Sequence, residues 1–354
     1  MRKKNELLEI QGCFKDRALK KSRGRKKQEK IDKREIFSVI EEEDPFFVDI
    51  QKIVNCKSFK RLAGKTQVFS FPQDNLIRNR LTHTLEVRSI SETISRILGL
   101  NTNLTGAIAL GHDIGHTPFG HLGEKFIKKE LDPNFCHENF ALFVAEKIEN
   151  DGAGLNLSYE VLEGITYHSN GLNINRRVPM EYNVVMLADK FAYLFSDIED
   201  ASKLCKIRGK IPKELNYLGE SREERVNSCI MALCLESSKA GTMSFKTSIE
   251  AQIFKNIREW MFERLYSSLD RSRERKKLRS ICRDAFTAME LFLDTDPQKI
   301  ASIFAIMTDE EVRRVSLIEK EGTIGDINLF SKMEFLKMAA YCDNKGCNGN
   351  NILW

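Results

Sequence analysis

All six histidines of this 354-residue chain, His83, His112, His116, His121, His137 and His168, fall within one stretch of 86 residues. A lone histidine is most simply a satisfied core or surface residue, but clustering of this density points to a site. His112 is followed directly by Asp113, and a little further on His121 and Glu124 stand at i and i+3, on one face of a helix. A carboxylate beside an imidazole orients the ring and raises its basicity, as general acid or base work near neutral pH requires. A helix-capping contact is the simpler alternative for this pair. Asp189, Tyr193 and Asp197 recur at steps of four, with Asp189 flanked by apolar residues that turn it inward.

Two imidazoles and two carboxylates, His83, His112, Asp113 and Asp189, make a mixed N/O donor set. Such a set suits octahedral coordination of Mg, Mn, Fe or another first-row divalent ion, with positions left for water or a phosphate oxygen. Tyr193 offers a flat ring and a hydroxyl to a sugar, or else is a core tyrosine. Arg80, one helical turn before His83, and Lys190, next to Asp189, bring positive charge to a phosphate chain, or else are surface charges.

The elements that must position these groups are helical. Apolar residues recur at helical spacing almost everywhere from Ile36 onward, and strand-like alternation is scarce, so an all-α body is expected. His83, Val87, Ile90, Ile94 and Ile97 step by four and three along a helix predicted over Asn79 to Leu98, which sets His83 on the buried stripe. A second helix is expected from Asn103 to about His112. A loop with Gly115, Pro118 and Gly120 then leads to a helix starting near His121. Further helices are expected over Glu138 to Glu149, Tyr182 to about Lys203, and in several segments from Arg222 to Ala340, with Pro297 as one interruption.

Composition, with 42% hydrophobic and 30% charged residues, is that of a globular protein and excludes disorder throughout. The longest apolar run, Cys229 to Leu235, is far short of the roughly 20 residues of a bilayer span, and no apolar region follows the basic N-terminus as in a secretory signal. No membrane association and a cytoplasmic location are therefore expected. Nine scattered cysteines fit reduced thiols better than a disulfide framework. The net charge of +5 conceals an asymmetry: residues 1–34 hold 14 Lys or Arg against 5 Asp or Glu, so the rest is slightly acidic. Residues 1–34 are read as a basic N-terminal arm or loosely attached helix, residues 35–340 as one catalytic domain, and residues 341–354 as a frayed tail. Within the domain, about 59–203 forms the core and about 222–340 an additional helical part. The arm is a solvated or oligomer-contacting tail, or else meets a polyanion.

FKRLAGKTQVFSF (Phe59 to Phe71), RNRLTHTLEV (Arg78 to Val87), GHDIGHTPFGHLGE (Gly111 to Glu124), HEN (His137 to Asn139) and ADKFAYLFSDIEDA (Ala188 to Ala201) closely resemble the dGTPase family. These are HD-superfamily deoxynucleoside triphosphate (dNTP) triphosphohydrolases. The resemblance runs in order over roughly Asp49 to Ser202. It implies an HD-domain helical fold with additional C-terminal helices, and metal-dependent hydrolysis of dGTP or a broader dNTP range at the α-phosphate, giving a deoxynucleoside and inorganic triphosphate. It implies that His83, His112, Asp113 and Asp189 hold one divalent metal, Mg or Mn before Fe, Co or Ni. His121 with Glu124 resembles the family's catalytic pair, and His137 a further proton-transfer histidine. Arg80, His116 and Lys190 resemble triphosphate contacts. Gln67, Tyr193 and Asp197 resemble the groups that read the sugar, Tyr193 standing where a ribose 2′-hydroxyl would clash.

On family grounds the resemblance also implies a homo-oligomer, a hexamer or another even-numbered assembly, and a dNTP or single-stranded DNA as activator. Another HD phosphohydrolase, a nucleotidase or phosphodiesterase, would share the metal ligands but has no need of the sugar-reading set. A nucleotide- or nucleic-acid-binding regulator has no use for an acid/base pair. The resemblance weakens in the C-terminal half, where only AIMTDEEV (Ala305 to Val312) is similar, and Lys299 is the candidate for a phosphate-contacting basic residue there.

Overall fold

The computed structural model describes residues 2–26, 40, 43–72, 74–207, 209–292 and 296–317. Among these the protein is all-α, with helices, short 3-10 and π turns, and two isolated antiparallel bridges, Arg25 with Ser158 and Thr66 with Asn79. No helix among them is long and apolar enough to cross a membrane. Residues 27–34 of the basic segment and the expected tail over 341–354 lie outside the described residues.

The described residues divide into two compact units, one drawn from residues 2–54, 83–112 and 157–270, the other from residues 55–82, 113–156 and 271–317. The first unit is built around the helix Met180–Lys203, which is buried on nearly every side from Glu181 to Ala192. A helix enclosed all round must carry its polar residues in pairs or lose their hydration. Phe191 and Phe195 on this helix meet Phe254 at 5.1 and 5.8 Å between ring centroids, and Phe245 completes the cluster. Edge-to-face pairs of this kind contribute about 0.5–1.5 kcal/mol each beyond area burial, and here they seat the helix Ile249–Met261.

The helix Thr102–Gly111 of the same unit starts where Asn101 accepts hydrogen bonds from the amides of Asn103 and Leu104, and ends on His112. The basic segment read from the sequence as an arm is held against this unit as far as Arg25. Phe14 is buried, Leu19 donates its amide to Glu181, Arg23 pairs with Glu160 and Glu163, and Arg25 pairs with buried Asp49.

In the second unit the helix His121–Glu130 buries Phe126 against Phe286 of the helix Arg273–Phe292 and Phe304 of the helix Pro297–Ile306. Pro297 begins a helix here: Asp296 caps it, and a proline costs nothing in a first turn whose amides have no partner within the helix. Glu138 to Glu149, expected as one helix, is the α-helix His137–Phe143 continued by a π turn, Val144–Ile148.

Candidate active site

In the first unit, the predicted buried stripe brings His83 of the helix Arg80–Leu98 to Asp189 of the helix Met180–Lys203. His83 Nε2 lies 3.0 Å from Asp189 Oδ1. His112 Nδ1 donates to the carbonyl of Ala109 at 2.6 Å, so in the neutral ring the proton sits on Nδ1 and the Nε2 lone pair faces Asp189 Oδ1, 3.9 Å away. A lone pair turned toward a carboxylate oxygen at that spacing is an arrangement that a cation between them stabilises. Burial opposes ionisation of Asp189, but Lys190, His83 and His112 outweigh it and hold the carboxyl well below its usual range. The donor chemistry, imidazole nitrogen with carboxylate oxygen, fits a divalent first-row ion.

Lys190 donates to Asp189 Oδ2 and to the His168 carbonyl, each at 2.9 Å. His168 is itself satisfied: Nδ1 donates to the Ile165 carbonyl at 2.6 Å and Nε2 lies 3.1 Å from the Ser169 hydroxyl. Of the six clustered histidines this one is a support for the lysine.

Successive turns of the Met180–Lys203 helix carry Tyr193 and Asp197. Arg258 Nε donates to the Tyr193 hydroxyl at 2.8 Å while its guanidinium covers the Phe262 ring, 4.9 Å from the centroid. Burial pushes the Tyr193 phenol up to about 12 against the pull of Arg258. Tyr266, at the end of the π turn Phe262–Tyr266, donates its hydroxyl to Asp197 Oδ2 at 2.6 Å. Neither Arg258 nor Tyr266 was singled out in the sequence. Arg258 borders the apolar stripe of Ala251, Phe254, Ile257 and Met261, a signal that any surface arginine shares. Lys299, the basic residue considered for the C-terminal half, sits partly exposed on the helix Pro297–Ile306 of the other unit.

In the second unit, Asp113 follows His112 in the chain and is buried. Arg80, also buried, donates NH1 to Asp113 Oδ2 at 2.8 Å, and its Nε has no hydrogen-bond partner among the described residues. Gly120, at φ +59° and ψ −135°, holds a backbone conformation that side-chain-bearing residues avoid, and its missing Cβ leaves room for Arg80 NH2. Gly115 is required for a different reason: a Cβ there would lie 2.3 Å from the backbone of His137 and Ala141, so the loop passes directly against the helix His137–Phe143. Gln67 Oε1 is buried with no hydrogen-bond partner among the described residues, an acceptor that a ligand hydroxyl would satisfy.

That close passage stacks His116 on His137, ring centroids 3.9 Å apart. Glu124 is the hub of the group: Oε2 accepts from His137 Nδ1 at 3.0 Å and His121 Nδ1 at 3.4 Å, and Oε1 from Lys128 at 2.7 Å. Burial pushes this carboxyl up, but the three donors overcome it and hold it far below its ordinary value. His137 is buried, whereas the His121 side chain is 71% exposed, which makes His121 the imidazole of the pair that reaches solvent. The sequence spacing identifies the contact of Glu124 with His121; its shorter one with His137, across a loop, emerges only in the fold.

Residues 80–194 match the HD domain family. The chain is 37% identical over 295 residues to a deoxyguanosinetriphosphate triphosphohydrolase-like protein of Caldanaerobacter subterraneus subsp. tengcongensis, covering 81% of this chain and 82% of that one. It is 39% identical over 250 residues to a protein of the same description from Clostridium tetani, covering 68% and 72%. A crystal structure of a hypothetical protein from Aquifex aeolicus is similar over 77% of this chain and 71% of that one, with a TM-score of 0.46 and 17% identity.

Proposed function

Because the chain belongs to the deoxyguanosinetriphosphate triphosphohydrolase-like family of HD-domain proteins, we propose that it hydrolyses dNTPs at the α-phosphate, releasing a deoxynucleoside and inorganic triphosphate. The observation that carries this reading is the order of groups along one buried helix. Asp189, clustered with His83 and His112, is followed one turn on by Tyr193 with Arg258, and another turn on by Asp197 with Tyr266. At 1.5 Å per residue these steps are about 6 Å each, so a metal-and-phosphate end passes to a hydroxyl-bearing end within the span of a nucleotide.

HD domains bind divalent metals, and we read His83, His112, Asp113 and Asp189 as the residues that would hold one, Mg or Mn before Fe, Co or Ni. When bound, such an ion supplies Lewis-acid stabilisation of charge developing on the α-phosphoryl oxygens. The protein's own groups do the rest. Lys190, Arg80 and His116 meet the negative charge of the triphosphate, the orphan Nε of Arg80 being a donor suited to one of its oxygens. His121, its Nδ1 held by Glu124, exchanges a proton at Nε2, and His137, bound to the same carboxylate, keeps Glu124 oriented or shares that transfer. Gln67 and Asp197 bind the 3′-hydroxyl. We further read the enzyme as cytoplasmic and homo-oligomeric, hexameric or another even-numbered assembly, with a dNTP or single-stranded DNA as activator.

Incubation with each of the four dNTPs and four NTPs, singly and mixed, with Mg or Mn, tests the reading. Inorganic triphosphate with a deoxynucleoside is the expected product pair, and turnover confined to mixtures would identify an activator. Orthophosphate with a diphosphate, or no turnover in any mixture, would overturn it.

Tyr193 is read as the steric gate against ribose. Tyr193→Ala should raise kcat/KM for GTP relative to dGTP by about 10-fold or more, since a gate built on a clash is lost with the ring. Unchanged rejection of GTP would move discrimination away from Tyr193.

A further inference from the structure

Two buried polar side chains of the second unit have no part in the proposed chemistry. Lys65 donates Nζ to the His116 carbonyl and, at 3.0 Å, to the carbonyl of Ala305, 240 residues away in sequence. Asp309 accepts on Oδ2 from the hydroxyl and, at 3.1 Å, the amide of Thr66, and on Oδ1 from the Phe119 amide at 2.8 Å. Both side chains are almost fully enclosed, at 2% and 5% exposure.

Apart from Ala305, their partners lie in the two segments that carry candidate substrate contacts. The loop from Asp113 to Gly120 bears His116, and the turn at Thr66 leads straight to Gln67. The Lys65 carbonyl accepts from the Arg80 amide at 3.0 Å, which ties in the start of a third segment. Phe119 is fully buried at φ +57°, a conformation that a bulky residue holds only when its surroundings impose it, and Asp309 grips its amide. Asp309 is itself fixed at the first turn of the helix Asp309–Val315, where Thr308 and Glu311 form a reciprocal capping box and Glu311 also accepts from Arg61.

We propose that Lys65 and Asp309 are positioning residues that lock the Asp113–Gly120 loop and the Thr66–Gln67 turn to the C-terminal helices, so that His116 and Gln67 are presented to substrate in one fixed arrangement. This rests on the reading of His116 and Gln67 as substrate contacts. Burial, aided by Arg61 and Arg80, pushes the Lys65 ammonium down to about 7, and burial pushes the Asp309 carboxyl up, so neither group is there for surface charge. A pair that merely filled the core would not end on the backbone of two site loops.

Asp309→Asn, which keeps shape but loses an acceptor, and Lys65→Met separate positioning from bulk stability. Amide hydrogen exchange on the full-length protein should speed up about 10-fold or more in residues 114–120 and 66–70, with the helix Met180–Lys203 unchanged. In dNTP turnover, KM should rise about 10-fold or more with a smaller change in kcat and unaltered metal content. Exchange unchanged in both loops, or faster equally everywhere, would overturn the proposal, as would loosened loops with an unchanged KM. Loosened loops in a protein whose wild type turns over no dNTP would leave the clasp intact and refute the substrate reading instead.

Discussion

Asp189→Asn should reduce kcat/KM for dNTPs by about 10³-fold or more and strip the divalent ion, because one carboxylate oxygen stands before both His83 and His112. A loss of that size corresponds to roughly 4 kcal/mol of transition-state stabilisation, within the several kcal/mol a Lewis acid supplies at a phosphoryl oxygen. Asparagine preserves shape but leaves Lys190, buried at 2.9 Å from the carboxylate, without its counter-charge. Metal content measured by elemental analysis must therefore be read beside the thermal midpoint, with His83→Ala as the companion variant that spares the lysine. Full activity in a metal-depleted Asp189→Asn protein would remove metal from the mechanism. Retained metal with lost activity would assign the carboxylate to substrate.

His121→Ala should keep metal and nucleotide binding but lower kcat by about 10²- to 10⁴-fold, the usual range for a positioned acid or base. The effect is expected to be larger than that of a surface histidine because Nδ1 is held by a carboxylate that three donors keep ionised. Glu124→Gln should reproduce much of the loss, since it releases His121 and His137 together. A carboxylate with a depressed value contributes its stabilisation above its ordinary range near 4.5 and loses it as the pH falls further, so acid inactivation above that range cannot be the protonation of Glu124. Single-turnover kinetics with binding measured separately decides the matter. Unchanged turnover in His121→Ala, with a large loss in His137→Ala, would transfer the proton-exchange role to the buried imidazole.

How much of this was legible in the sequence depended on how local the information was. The stripe of His83, Val87, Ile90, Ile94 and Ile97 follows from a period of 3.6, and the observed helix starts at Arg80, one residue from expectation. The i, i+3 contact of His121 with Glu124 and the order Asp189, Tyr193, Asp197 follow from the same geometry. The π turn after Phe143 has no comparable signature, because an extra residue in one turn leaves the surrounding apolar pattern nearly unchanged.

By itself, then, the sequence determined the all-α class, the helix bearing Asp189, and a donor set with the chemistry of a divalent-metal site. Tertiary structure alone decided the partners those groups acquired. Arg258 reaches Tyr193 across 65 positions, Tyr266 reaches Asp197 across 69, and Asp309 reaches Thr66 across 243. Spacing encodes a contact only while both residues share an element. Beyond that, pairing is set by which helix faces the buried phenylalanines draw together, and no count along the chain records it.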